Sequence, residues 1–493
     1  MGKPRETTQQ TAPRSQDSVS GTGPSAEPED AIRTLLILGA TGDLTARLLL
    51  PGVARLIASG RASTLRLVGA GNSDWSQSQW RDVVSKAFTQ ALPEANSSNE
   101  QKLAEVLEGT SYEQLDVTEE GALAGVLNKL EEAEQTPVAV YFALPPAVSQ
   151  KACELLSPED VPPGTRLVME KPFGSSAASA HQLNQVLAAL VPEERIHRVD
   201  HFLGKSTVFN ILGLRFANQL LEPLWNARHI QQVEIIFDEE LGLENRAGYY
   251  DRAGALRDMV QSHLLQIMAI IAMEPPATLD ERDVRDGVSA VLRASTAAPE
   301  QSLRARYTAG QVSGGQVPDY TAEDGVDPGN NTETLAQIEV RINNWRWAGV
   351  PFILRSGKAL GKTRKEAVIT YLPVPHLPTG FRGTDTPTQL HIGFGPDTLQ
   401  LDIDVNGPGD LFTLNSIELC AELAADPLLP YGEVLDSVLK GDPLLSVRGD
   451  AAELSWGIIE PTLAHWAEQG SEGLSDYPAG SQGPEEWTTN NPE

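Results

Sequence analysis

The 493-residue chain is poor in cysteine, in basic residues and in long apolar runs. Cys153 and Cys420 are its only cysteines and have no paired spacing, too little for a disulfide framework or a thiolate-held metal. A reducing cytoplasm is therefore the expected compartment, and no metal is expected. Against 67 Asp and Glu stand 38 Lys and Arg, a formal net charge of -29. Such a field repels polyanions, so neither nucleic acid nor an anionic membrane is an expected partner. An anionic small substrate would then need a local basic pocket. No apolar run reaches bilayer length. The start, Met1-Gly2-Lys3-Pro4-Arg5-Glu6, lacks a signal peptide's apolar core, and Glu6 stands where a myristoylation motif needs Ser or Thr. A soluble protein is expected.

What is present is length and a change of pattern. The chain is long enough for two packed domains. Residues 1–30 are rich in Thr, Gln, Ser, Pro and Glu and cannot bury enough surface to offset ordering entropy, which predicts a disordered tail. From Thr34, short apolar strands (34–39, 65–69, 138–143, 166–169) alternate with helical periodicity (44–59, 79–92, 119–132, 147–156, 178–190). That alternation predicts an α/β domain over 31–200, a parallel sheet with helices on its faces. After a helix from about Lys205, a strand at 232–238 and a long apolar helix at 258–273, strand-like runs follow without crossovers. They lie at 334–342, 352–355, 367–371, 389–394 and 398–405. An α+β domain with a large, mainly antiparallel sheet is expected over 201–487. Closing helices are expected at 431–439 and 451–468, a long surface loop at 309–332 and a tail at 488–493.

Several runs carry chemistry. Strand 35–38 enters Gly39-Ala40-Thr41-Gly42-Asp43-Leu44 and then a helix, which offers backbone N–H groups to an anion such as a pyrophosphate. The G-x-x-G spacing also suits a bare strand-to-helix turn. Beyond the second strand, Val68-Gly69-Ala70-Gly71-Asn72-Ser73-Asp74 contains no basic residue. Asn72 can hydrogen-bond a ribose. Asp74 either repels a ribose phosphate or caps the next helix. Glu170-Lys171-Pro172-Phe173-Gly174 follows a strand at the sheet's carboxyl edge, where Lys171 can donate to a substrate hydroxyl or remain a loop lysine. In Arg198-Val199-Asp200-His201-Phe202-Leu203-Gly204-Lys205, His201 and Lys205 would share a helical face one turn apart and receive a phosphate. A surface histidine is the plainer reading of His201. Within 257–268, Asp258 and His263 interrupt an apolar helix, so both should be paired and are candidates for acid–base work. Glu239 and Glu240 end a strand and either accept from sugar hydroxyls or face solvent.

Taken in order, GATGDL, ALPP, EKPFG, RVDHFLGK, LRFAN, RDMVQSHLLQ, WAGVPFILRSGKAL and GSQGP resemble the glucose-6-phosphate dehydrogenase family over everything after the tail. The resemblance implies a Rossmann-type cofactor domain and an α+β domain whose sheet builds a homodimer, or a homotetramer as a dimer of dimers. It implies oxidation of glucose 6-phosphate to 6-phospho-glucono-lactone with NAD or NADP. By the same resemblance His263 is the general base and Asp200 its partner carboxylate. His201 and Lys205 match phosphate ligands; Lys171, Glu239, Asp258 and Lys358 match residues that contact the sugar phosphate, with Lys171 also near the cofactor. Gly39, Thr41, Gly42, Asp43, Leu44 and Asn72 fall to the cofactor. Two departures stand out: Phe202 replaces the family's usual tyrosine, and Asn72 stands where NADP-preferring members have arginine, so use of NAD is expected. Rival readings are a non-catalytic relative, which should have lost Asp200 or His263, and an oxidoreductase of the glucose–fructose type, which Lys205 and Lys358 disfavour. A deazaflavin cofactor would belong to another fold.

Overall fold

The computed structural model describes residues 32–488 apart from 63, 94–96, 135–136, 244–246, 384–385, 408–409 and 425–426. The tail expected at 1–30 and residues 489–493 lie outside this set. The first sheet holds β1 (Thr34–Leu38), β2 (Arg66–Gly71), β3 (Ser111–Gln114), β4 (Val138–Phe142), β5 (Arg166–Glu170) and β6 (Ile196–Val199). All pairs are parallel, in the order β3-β2-β1-β4-β5-β6. This is the doubly wound order, which places a crevice at the carboxyl ends of β1 and β4, where the strand order reverses.

Alternation along β1 shows how the layers form. Leu35 and Ile37 pack with helices Leu50–Ala58, Gln77–Ala91 and Ser97–Gly109, while Leu36 and Leu38 pack with Ala122–Glu134, Pro146–Glu154 and Ala177–Leu190. Both faces are covered, which is why β1 and β4 are apolar at nearly every position. Helix Pro430–Lys440, from late in the chain, joins the first of these layers through Val434, Leu435 and Val438. The expected strands and helices of this half are present. The expectation missed β3, an edge strand of Ser-Tyr-Glu-Gln, β6, whose His197 and Arg198 are buried, and helix Ser97–Gly109 with its polar start.

The second sheet has ten strands. They are β7 (Ile230–Asp238), β8 (Ser295–Ala297), β9 (Leu303–Thr308), β12 (Leu335–Ile342), β13 (Pro351–Gly357), β14 (Arg364–Tyr371), β15 (Gln389–Gly393), β16 (Thr398–Asn406), β17 (Leu414–Glu422) and β18 (Leu474–Pro478). A separate hairpin of β10 (Gly310–Val312) and β11 (Gly315–Val317) occupies part of the expected loop 309–332, a correction to that reading. The order is β17-β16-β15-β14-β7-β13-β12-β9-β18, with β8 beside β12. Pairing is antiparallel except for β7 with β13 and β9 with β18, so the sheet is mixed but mainly antiparallel. The segment expected as one helix over 258–273 is π-wound from Leu256 to Leu264 and α-helical from Leu265 to Ala272. Such wide turns recur at functional sites because they turn side chains out of the ordinary register. No helix among the described residues is long and apolar enough to cross a membrane.

Candidate active site

A cleft of about 740 Å³ opens where the carboxyl edge of the first sheet meets β7 and the π-wound turn. On its first side is the glycine turn. Gly39 has φ +86°, and a Cβ there would lie 2.2 Å from the carbonyl oxygen of Ala143 at the end of β4. Only glycine allows that approach. The turn closes through Gly42 N–H to Gly39 O at 3.0 Å and Thr45 Oγ1 to Gly39 O at 3.1 Å. Asp43 and Leu44 then face the cleft at the start of a helix, so the turn and its first amides fit the pyrophosphate of a nicotinamide dinucleotide. Thr41 Oγ1 lies 3.5 Å from Ser73 Oγ, joining this turn to the end of β2, where Asn72 is exposed. Asp74 is not the cap of the next helix, one of the two readings offered for it. Ser76 caps that helix in a reciprocal pair with Gln79.

On the other side lies a buried acid–base pair. His263 comes from the π-wound turn and Asp200 from the end of β6, and Nδ1 of the imidazole bonds Oδ1 of the carboxylate. The same Oδ1 accepts the N–H of Phe202 at 3.0 Å, and Nε2 of His263 is left for the cleft. Burial pushes the carboxyl of Asp200 up, but the charge and hydrogen bond of His263 outweigh it and the group lies below its ordinary value. Burial also lowers His263, with Asp200 pulling the other way, a balance that favours the proton-accepting form of the imidazole. Phe202 stacks on His263 with ring centroids 3.9 Å apart and an interplanar angle of 16°, fixing the imidazole plane.

Two details of the 198–205 run differ from expectation. Residues 201–204 form turns and the helix spans Ser206–Phe216, so His201 and Lys205 do not share a helical face. Turn hydrogen bonds hold the run instead, Leu203 N–H to Asp200 O at 3.0 Å, Gly204 N–H to His201 O at 3.2 Å and Lys205 N–H to Phe202 O at 3.1 Å, and Gly204 packs so close to helix Pro430–Lys440 that a Cβ would lie 2.3 Å from Pro430 O. His201 is stacked on Tyr431 at 5.4 Å and set edge-on to His263 at 5.0 Å. Burial, reinforced by His263 and Lys171, brings its pKa down to about 3. His201 is therefore a neutral hydrogen-bonding group, whereas Lys205 is a cation that donates to Phe394 O at 2.9 Å.

The remaining charges are paired across the cleft. Lys171 Nζ donates to Asp258 O at 2.6 Å and Oδ1 at 3.2 Å. Burial works against both charged forms, yet their attraction raises Lys171 and holds Asp258 at about 2. Glu239 accepts from Lys358 Nζ at 2.8 Å and Lys365 Nζ at 3.1 Å, and these cations outweigh burial and lower its pKa. Burial and the like charge of Lys365 lower Lys205. Glu240 turns away and accepts from Thr363, so of the two acids only Glu239 lines the cleft.

Among the cleft residues that were not expected as site residues, Lys365, Glu170 and Tyr431 carry chemistry. Lys365 sits in the cationic run Lys362-Thr363-Arg364-Lys365, which was a usable signal. Glu170, inside the Glu-Lys-Pro turn, is raised by burial to about 7 while hydrogen-bonded to Tyr141 and Tyr431. Tyr431 had no local signal, because only tertiary folding brings its helix here.

A model of the glucose-6-phosphate dehydrogenase NAD binding domain matches residues 36–210, and one of the C-terminal domain matches residues 212–490. The glucose-6-phosphate 1-dehydrogenase of Rhizobium meliloti is 37% identical over 473 residues, covering 93% of this chain and 95% of the relative. That of Mycolicibacterium smegmatis is 35% identical, covering 91% and 94%. A solved glucose-6-phosphate dehydrogenase in complex with glucose 6-phosphate aligns with a TM-score of 0.84 at 29% identity, covering 93% of this chain and 97% of that one. The enzyme of Mycobacterium avium aligns with a TM-score of 0.80 at 32% identity over 93% and 96%.

Proposed function

Because the chain belongs to the glucose-6-phosphate dehydrogenase family, we propose that its cleft oxidises D-glucose 6-phosphate to 6-phospho-D-glucono-1,5-lactone with NAD or NADP. The observation that carries this reading is the buried Asp200–His263 pair facing a cleft that joins a dinucleotide-type glycine turn to a cluster of lysines. The nicotinamide ring supplies a hydride acceptor when bound. His263 Nε2 removes the proton of the anomeric hydroxyl, and Asp200 stabilises the imidazolium that results. Phe202 holds the ring plane during that transfer. Lys205 attracts the sugar phosphate and His201 donates to it as a neutral group, with Lys365 adding a charge that Phe202, lacking a hydroxyl, cannot replace. Lys171, Asp258, Glu239 and Lys358 bind the sugar hydroxyls, and each enters the complex already oriented by its ion pair.

On this reading residues 31–200 form the cofactor domain and 201–487 the substrate and dimerisation domain, in a cytoplasmic enzyme. β17 supports a homodimer or homotetramer: it ends the sheet with Ile417 and Leu419 exposed, a face that a second copy would cover. On this reading coenzyme preference turns on Asn72, which carries no charge for a ribose phosphate, while Arg47, in the helix after the glycine turn, is engaged by Asp43 at 3.3 Å. The test is a steady-state assay of glucose 6-phosphate with each coenzyme in turn, following reduced nicotinamide. Turnover with NAD is expected, and Asn72→Arg should raise the NADP/NAD ratio of kcat/KM. No activity with either coenzyme would overturn the function; strict NADP dependence of the parent would overturn only the preference.

A further inference from the structure

Beside the cleft lies a second cavity of about 520 Å³, with Lys171, Pro172, Tyr249 and Asp258 as a common wall between the two. Its own surface is made by the loop after Pro172, helix Ala247–Ala255, the π-wound turn and Trp456. Trp456 is buried and fixed by its Nε1–H to Phe173 O at 2.9 Å, and Pro172 and Ala253 add apolar walls.

Three polar side chains here are left with little or nothing to bind within the chain. Gln261 is only 4% exposed and lines this cavity, yet among the described residues its amide makes no hydrogen bond. That amide opens into the hollow, where a bound group can pair with it. Arg252 also has no partner among the described residues, and Arg257 donates only to the carbonyl of Ala253 at 3.3 Å. Among the described residues the one carboxylate lining the cavity, Asp258, is taken by Lys171. In a chain of net charge -29, two guanidinium groups without an ion pair at an apolar hollow form a local anion-attracting site.

We propose that this cavity binds a small organic carboxylate with a flat apolar body, distinct from substrate and coenzyme, and that its occupancy is felt at the reaction centre through Lys171 and Asp258. The carboxylate meets Arg252 and Arg257, the body lies against Pro172, Ala253 and Trp456, and a polar edge satisfies the amide of Gln261. Because the wall is shared, a ligand that alters the Lys171–Asp258 pair alters turnover, and by whatever factor it changes the affinity for substrate, substrate changes the affinity for the ligand.

Indole-3-acetate is a suitable probe, with a carboxylate, a flat body and one N–H donor. Calorimetry on the full chain, with and without saturating glucose 6-phosphate and NAD, is expected to show binding at one site in both conditions. Arg252→Ala lies on the exposed rim, outside the reaction centre. It should leave basal turnover unchanged and weaken the probe at least about tenfold, because a charge-assisted contact is lost. Ala253→Phe fills the hollow and should abolish binding. The neutral indole-3-acetamide should bind about as weakly as the acid binds Arg252→Ala. The kinetic effect, a change in kcat not relieved by either substrate, rests on the function proposed above, whereas binding does not, so the two readings fail separately. No binding, binding indifferent to Arg252→Ala, or displacement by NAD would each overturn the proposal; the last would make the hollow part of the coenzyme cleft.

Discussion

His263 has one nitrogen engaged by Asp200 and one facing the cleft, and that asymmetry determines what its replacement does. Asparagine can keep a hydrogen bond to Asp200 but cannot take a proton. His263→Asn is therefore expected to lower kcat by ~10²–10⁴-fold while the KM for glucose 6-phosphate stays near that of the parent. A variant retaining most of its turnover in a steady-state assay would remove His263 from the proposed role. Glu170 gives a second residue-level test. Burial raises its pKa from 4.5 to about 7, so across that window the folded chain keeps a proton that the unfolded chain has released. Stability supplied by this group is complete below 4.5 and is lost as pH rises through about 7. Glu170→Gln removes the dependence, gaining up to roughly 3 kcal/mol relative to the parent on the alkaline side. Denaturant unfolding below and above the window measures it; parallel pH profiles of parent and variant would refute the assignment. These residues were unequally legible. Asp258 and His263 stood out as polar groups on an apolar helix, and burial demanded partners for them. His201 was expected on a helical face with Lys205 or at the surface; its neutrality follows from burial and from His263, neither of which is local.

Elements meet at this site through glycine. Gly204 lets the turn after β6 lie against the carbonyl of Pro430, and a methyl group there would be 2.3 Å from that oxygen, a backbone atom that cannot swing away. Gly204→Ala should cost about 1–3 kcal/mol by overpacking and displace Tyr431 from His201. The expected readout is a lower Tm together with a raised KM for glucose 6-phosphate; an unchanged KM would separate this contact from substrate binding. At this scale strands such as β1 and β4 were plain from their unbroken apolar runs, since sheets covered on both faces need them. The hairpin of β10 and β11 was hidden by its Gly-rich, polar composition. The π-wound turn was invisible because helical periodicity does not distinguish hydrogen-bond patterns one residue wider.

Across the whole molecule the net charge of -29 governs the long-range electrostatics. Many of its basic residues are already tied, such as Arg448 between Asp286 and Asp450, so surplus carboxylates repel one another across the surface. Salt screens that repulsion. Raising sodium chloride from about 10 mM to about 150 mM should raise the Tm by a few degrees, since the screening length falls from roughly 30 Å to about 8 Å. A Tm that falls instead would mean that the ion pairs outweigh the surplus. Tyr431 belongs to this scale too: it reaches the cleft by topology, which no local motif encodes, whereas Lys365 at least stood in a cationic run.

Helix Pro430–Lys440 covers the first sheet, although nearly the whole of the second sheet lies between them in the chain. During synthesis, the layer on Leu35 and Ile37 thus stays incomplete until helix Pro430–Lys440 has left the ribosome. The nucleotide-binding half cannot finish as an early, self-contained product. It must wait, partly uncovered, for a piece made near the end, and nascent chains stalled in between present an apolar face to chaperones.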